Sequence, residues 1–284
     1  MIKTYCMSDI HGRWQHVRDF VLRNKIKEKF TKNTHTLILL GDTGANYFLN
    51  DRDVKFKKQL SSLPLTYFII RGNHEERPSN LASVNPAGWH KEDFWGNQVW
   101  VEDEFPNLKY AMDNAAVYEI PYIAGYSEGT EENEWNDEGE LIIKTWKTLI
   151  LPGAYSVDKF YRLMMGYSWF KDEQMSLEER EEAWDIIRDN KYNFDLILSH
   201  TCPCAFEPTD LFFSSIDQST VDKDMERFLG AVEYALENYK AWFWGHFHAF
   251  RDYPRTDGRK KLMLFNDYAI NLDNYLVSDE VEKL

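Results

Sequence analysis

Cysteine is scarce in this chain: 284 residues hold three, Cys6, Cys202 and Cys204. So small and odd a number excludes a disulfide framework, and Cys202-Pro-Cys204 lacks the two-residue spacing of a redox or zinc pair, so all three read as reduced thiols. Long apolar runs are missing as well. The opening "MIKTYCMSD" does not serve as a signal peptide, and no later run reaches the roughly 18 residues of a membrane span, which places the protein in the cytoplasm without a membrane partner. Positive charge is short too: 33 Lys and Arg face 47 Asp and Glu, a net charge of −14. A surface that tracks many phosphates needs clustered Lys and Arg, so extended nucleic acid is excluded as a partner, while a short nucleotide or a single end is not. Internal repeats and low-complexity linkers are absent, which favours a single domain over residues 1–284.

What is present is material for a core, with 43% of residues hydrophobic. Apolar and β-branched runs predict strands at 3–9, 35–42, 65–73, 115–126, 141–153, 194–200, 240–246 and 261–266. Helical spacing fills 12–28 and 50–63 between the first three, the pattern of successive βαβ units. Further helices are predicted at 176–190, where Ser176 and Glu179 form a capping box, and at 221–239. Residues 76–114, rich in Pro, Gly and aromatics, read as a lid-like insertion, with Trp89, Phe94 and Trp95 placed either to stack on a base or to pack in the core. The acidic stretch 127–140 reads as a solvated hairpin tip.

The strand exits carry the chemistry. The first run ends "SDIHG", with Asp9 and His11; the second "GDTG", with Asp42; the third "RGNHE", with Asn73 and His74. Two later runs end "LSHTCP", with His200, and "WGHFH", with His246 and His248. A lone Asp or His at such an exit is usually a cap or turn residue. Five exits with the same chemistry suggest convergence, because ligands of open α/β sheets bind at the carboxyl ends of strands. Carboxylate, carboxamide and imidazole form a borderline N/O donor set suited to Mn, Fe or Zn, and without thiolates it is not a structural zinc site. Seven donors exceed the needs of one ion and suit two, the clamp used for in-line displacement at phosphorus. His16, His35 and His90 fall outside these exits and are assigned to surface or helix positions.

In their order "DIHG", "GD", "GNHE", "SH" and "GHFH", these motifs resemble the calcineurin-like metallophosphoesterases. "GAYSVDKFYR" and "SWFKDEQ" look like a bacterial and phage group of that superfamily. The resemblance implies an α/β fold of two mixed β-sheets packed as a sandwich between helices. It also implies that Asp9, His11 and His248 hold a first metal, that Asp42 bridges, and that Asn73, His200 and His246 complete a second. His74 would be the general acid, and Gly72 and Gly245 would let backbone approach the crowded centre. The cofactors would be two divalent ions, manganese first, with iron or zinc as alternatives.

The implied function is hydrolysis of phosphomonoesters by direct attack of metal-bound hydroxide. The substrate would be a small molecule, a nucleotide or a phosphoprotein. A phosphodiesterase or nucleotide pyrophosphohydrolase with the same centre is the first alternative, and a non-catalytic binding module the second. The protein-phosphatase pattern "GDxxDRG" is not met, since Ala45 and Asn46 stand where it has Asp and Arg. Arg71 and Arg13 are the nearby guanidiniums that could grip phosphate instead, with a salt bridge or plain solvation as the other reading of each.

Overall fold

β1 (Lys3–Met7), β2 (His35–Leu40) and β3 (Thr66–Ile70) are almost continuously apolar because both faces of their sheet are covered. Alternate side chains go to opposite layers. Leu37, Leu39, Tyr67 and Ile69 pack outward against Val17, Phe20, Phe56 and Leu60 of α1 (Gln15–Asn24) and α2 (Asp51–Ser61). Cys6, Ile38, Leu40, Phe68 and Ile70 face the other way, into a cluster shared with the second sheet.

The computed structural model describes residues 2–125, 133–212, 214, 217–255, 257–278 and 281–283. The remaining strands are β4 (Trp89–Phe94), β5 (Asn97–Glu102), β6 (Leu108–Tyr110), β7 (Ala116–Ile123), β8 (Ile143–Leu151), β9 (Leu196–Ser199) and β10 (Ala241–Trp244). They are followed by β11 (Arg251–Asp252), β12 (Lys260–Met263), β13 (Tyr268–Asn271) and β14 (Glu282–Lys283). One sheet has the order β14-β13-β1-β2-β3-β6-β5-β4 and the other β11-β12-β10-β9-β8-β7. Both are mixed: β1, β2, β3 and β6 run parallel to their neighbours, as do β8, β9, β10 and β12, while the edges are antiparallel. The outer face of the second sheet, with Ile197, Trp242 and Trp244, is covered by α5 (Leu177–Asp189) and α6 (Asp224–Ala235). The molecule is thus an α/β sandwich of two mixed sheets flanked by helices. Among the described residues no helix is long and apolar enough to cross a membrane.

Ser176 caps α5 as expected, its Oγ accepting the Glu179 N–H while the Glu179 carboxylate returns to the Ser176 N–H. Other expectations need correction. Residues 76–114 do not form a cover: they fold as α3 (Pro78–Val84) and β4 to β6, which extend the first sheet to its edge. Trp89 is buried against Tyr110, and Phe94 and Trp95 pack on Phe68, so their apolar surface is used by the core. His35 is neither surface nor helix; it begins β2, is buried, and lies 3.6 Å from Glu28. His16 is on α1, and His90 is exposed on β4 beside Asp103. Of the acidic stretch, 127–132 lie outside the described residues, and 133–140 are mostly exposed in the connection between β7 and β8. All three cysteines are free, with Cys6 and Cys202 buried and Cys204 exposed.

Candidate metal centre

The parallel strands bring their carboxyl ends to one side of each sheet. There the loops after β1, β2 and β10 turn sharply, and backbone bonds tie them together: the Asp9 N–H to the Gly41 carbonyl (3.2 Å), His11 to Asp42 (2.8 Å) and Gly245 to His200 (2.9 Å). The turns force Asp9 (φ 54°), His11 (44°), Asp42 (48°), His246 (72°) and His248 (52°) into the left-handed region. A non-glycine residue held there costs on the order of 1–3 kcal/mol, and such strain concentrates at functional sites. Two glycines make the crowding feasible. A Cβ on Gly72 would lie 2.2 Å from Asp42 Oδ1, and one on Gly245 would lie 2.3 Å from Asp9 Oδ2.

All the predicted ligands meet at this place. Asp9, His11, Asp42 and His248 offer donor atoms that lie within 4.8 Å of one another. The His11 and His248 Nε2 atoms are 2.8 Å apart, and His248 Nε2 is 3.7 Å from Asp9 Oδ1. On the other side of Asp42, His200 Nε2 lies 3.2 Å from Oδ1. The Asn73 carboxamide oxygen is 3.0 Å from His200 Nε2 and 3.1 Å from His246 Nδ1. His74 sits at the rim, its backbone N–H donating to Asp42 Oδ1 (2.9 Å) and its Nε2 3.7 Å from Asp42 Oδ2.

Electrostatics show what the cluster lacks. Burial raises the Asp9 carboxyl to about 6, with Asp42 adding to the effect. Burial would raise Asp42 too, but His74, His200 and His11 around it hold it well below the carboxylate range. Burial lowers His11 to about 3 and drives His246 well below its ordinary value. For His200 burial also opposes protonation, yet Asp42 and Asp9 win and push it up to about 9. Among the described residues the ion pairs of Asp9 and Asp42 are all to histidines. Buried carboxylates and convergent imidazole nitrogens without a Lys or Arg partner fit divalent cations, which would supply positive charge and accept these lone pairs.

A matching of the sequence to protein-family models aligns residues 2–250 with the calcineurin-like phosphoesterases. The chain belongs to that family. A search of curated proteins finds no match. Among solved structures, a dimetal phosphatase from Danio rerio is similar over 94% of this chain and 94% of its own, with 12% identity and a TM-score of 0.45. A protein from Thermus thermophilus is similar over 100% of this chain and 98% of its own, with 10% identity and a TM-score of 0.47. The phosphopantetheinyl hydrolase of Mycobacterium tuberculosis is similar over 99% and 95%, with 11% identity and a TM-score of 0.39.

Surrounding residues complete the candidate centre of this calcineurin-like phosphoesterase family member, and several carried no motif signal of their own. The His200 Nδ1 sits 2.7 Å from the Leu40 carbonyl, which aims Nε2 at Asp42 and Asn73. The Asn73 amide donates to Ser156 Oγ (2.9 Å), and Ser156 donates to Glu173 (2.5 Å), so the carboxamide oxygen points inward. Ser156 and Glu173 lie in "GAYSVDKFYR" and "SWFKDEQ", which offered only the resemblance as a signal.

Of the two readings of Arg71 and Arg13, the phosphate grip is not met at this cavity, and Arg13 is solvated. Arg71 is buried and donates to the carbonyls of Glu173 (2.7 Å), Asp172 (3.3 Å) and Asp113 (3.4 Å), while Arg13 is exposed and does not line the cavity beside the centre. The guanidinium at that cavity is Arg162, on α4 (Lys159–Met165). The cavity encloses about 330 Å³. A larger one of about 670 Å³ lies at Arg77, Trp100 and Asp113, where Arg77 is already bound by Glu179 and Asp172, and the converging donors are elsewhere.

Proposed function

We propose that this chain is a dinuclear, divalent-metal-dependent phosphoesterase acting on phosphomonoesters. One observation carries the reading: the two carboxylate oxygens of Asp42 face two donor groups. Oδ2 is 3.9 Å from His11 Nε2, on the side of Asp9 and His248, and Oδ1 is 3.2 Å from His200 Nε2, on the side of Asn73 and His246. A bridging carboxylate needs this placement. In this reading Asp9, His11 and His248 hold one ion, Asn73, His200 and His246 the other, and Asp42 both. Manganese is the ion to load first, given N and O donors without thiolate.

When bound, the ions would supply a hydroxide nucleophile at neutral pH and Lewis-acid charge for the phosphoryl oxygens. The chain's residues do the rest. Asp42 and Asp9 keep negative charge where the cations sit, and Ser8, whose Oγ donates to the Leu40 carbonyl (3.1 Å), helps close the floor beneath Asp9. His74, at the rim and outside the two donor groups, gives a proton to the departing oxygen.

The test is Asp42→Asn, with metal content measured by elemental analysis and turnover by phosphate release. The reading expects loss of activity together with a fall in bound metal. Two retained metals and normal turnover would remove the bridging role.

A further inference from the structure

Arg162 is only 2% exposed, yet it lines the cavity beside the candidate centre. Its Nε is 2.8 Å from Asp158 Oδ1, without the alignment of a hydrogen bond, and its Nη2 lies against His74 Nε2. Its Nη1 has no hydrogen-bond partner among the described residues. A buried guanidinium with an unsatisfied donor is costly, and Arg162 lines a cavity next to the candidate cation site, where an anionic oxygen would be an acceptor. A planar fork of donors matches phosphate in a way an ammonium does not.

The cavity also has an apolar part. Leu211, Phe212, Val221 and Phe247 line it alongside Gln218, Asp222, Lys223 and Glu226, and the Phe212 and Phe247 rings lie 6.1 Å apart and tilted by only 22°. Tyr155 and the ring of His74 face the same space. A small polar leaving group would leave this surface uncovered, whereas a flat apolar one would bury it.

We propose that the cavity binds the phosphoryl group of a monoester through Arg162 and takes an aromatic organic half against Phe212, Val221 and Phe247. This deepens the phosphoesterase reading and rests on it for the position of the phosphorus.

The test uses phosphonates, whose C–P bond is not hydrolysed, so that binding is read apart from turnover. Phenylphosphonate and methylphosphonate are titrated calorimetrically into the full-length protein loaded with Mn²⁺, with metal content checked for every variant. Wild type is expected to bind the phenyl compound about tenfold or more tighter, the worth of burying one ring. Phe212→Ala should abolish that preference. Arg162→Met should weaken both ligands about ten- to a hundredfold, the usual worth of a charge-assisted hydrogen bond, and Arg162→Lys should restore part of the loss with metals retained. No phosphonate binding by wild type, equal affinity for the two compounds, or unchanged affinity in Arg162→Met and Arg162→Lys would each overturn the proposal. Failure of wild type to release phosphate from any monoester, with Arg162-dependent binding of phenylphosphonate intact, would remove the hydrolytic reading and leave the binding site standing.

Discussion

The guanidinium of Arg162 lies against Nε2 of His74, while the backbone N–H of His74 is held by Asp42 at 2.9 Å. A guanidinium only donates, so in this arrangement the His74 Nε2 lone pair accepts, and burial lowers the imidazole's proton affinity further. The proposed general-acid role therefore requires Arg162 to turn to another acceptor and Nε2 to take up a proton before it can give one. His74→Asn is expected to keep both metals and to cost about 10² to 10⁴ in rate on alkyl phosphates, whose alkoxide must be protonated as it leaves. Nitrophenyl phosphate, which expels a stable phenolate, should lose less. Equal losses on the two substrates with metals intact would assign His74 to charge stabilisation instead.

The chain from Asn73 through Ser156 to Glu173 predicts a selective metal defect. Glu173→Gln replaces one of the two oxygens that accept the Ser156 N–H and O–H with an NH2 donor, and supporting changes of this kind typically weaken a metal by about 10- to 100-fold. Titration of the metal-free variant with Mn²⁺ should show one weakened and one normal site. Two unchanged affinities would mean that the Asn73 carboxamide needs no such support.

Gly72 predicts a steric defect at the same centre. In Gly72→Ala the new methyl would meet Asp42 Oδ1 at 2.2 Å, the Asp42 backbone N at 2.4 Å and His200 Nε2 at 2.9 Å. Overpacking against backbone costs about 1–3 kcal/mol, and here it displaces two proposed ligands as well. The expected result is a lower unfolding midpoint together with lost metal. A variant with wild-type stability and full metal content would show that the loop yields easily.

Trp89 separates a cover from a core. Its ring is packed 5.4 Å from Tyr110 in the layer between the first sheet and its helices. Trp89→Ala should cost about 3–5 kcal/mol of stability, as large-to-small core changes do. Relative activity across a substrate panel should stay as in wild type. Altered selectivity with little change in denaturation midpoint would restore the lid.

The cluster was legible because its Asp, Asn and His side chains sit where strands end, and strand ends are visible as apolar runs that stop at such residues. Asp9, Asp42, Asn73, His200 and His246 all follow such runs. Arg162 was not legible: α4 carries an irregular apolar pattern, with Phe160 and Met164 exposed, so nothing in the spacing marks the one side chain that turns inward. The strands β4 to β6 were missed for a related reason. Their alternation is interrupted by charges on the exposed side, as in "WHKEDF", and aromatics after a catalytic motif read equally well as a lid.

The left-handed turns at Asp9, His11, Asp42, His246 and His248 also act as a filter on which ions the centre can serve. Few side chains tolerate positive φ, and among those that do best are Asp, Asn and His, whose donors are oxygen and imidazole nitrogen. Leu49, Trp95 and Tyr192 also hold positive φ in this chain, so at the centre the turns favour Asp and His rather than compel them. The tightness of the loops thus favours oxygen and imidazole donors at five positions of the centre, donor types suited to hard and borderline ions.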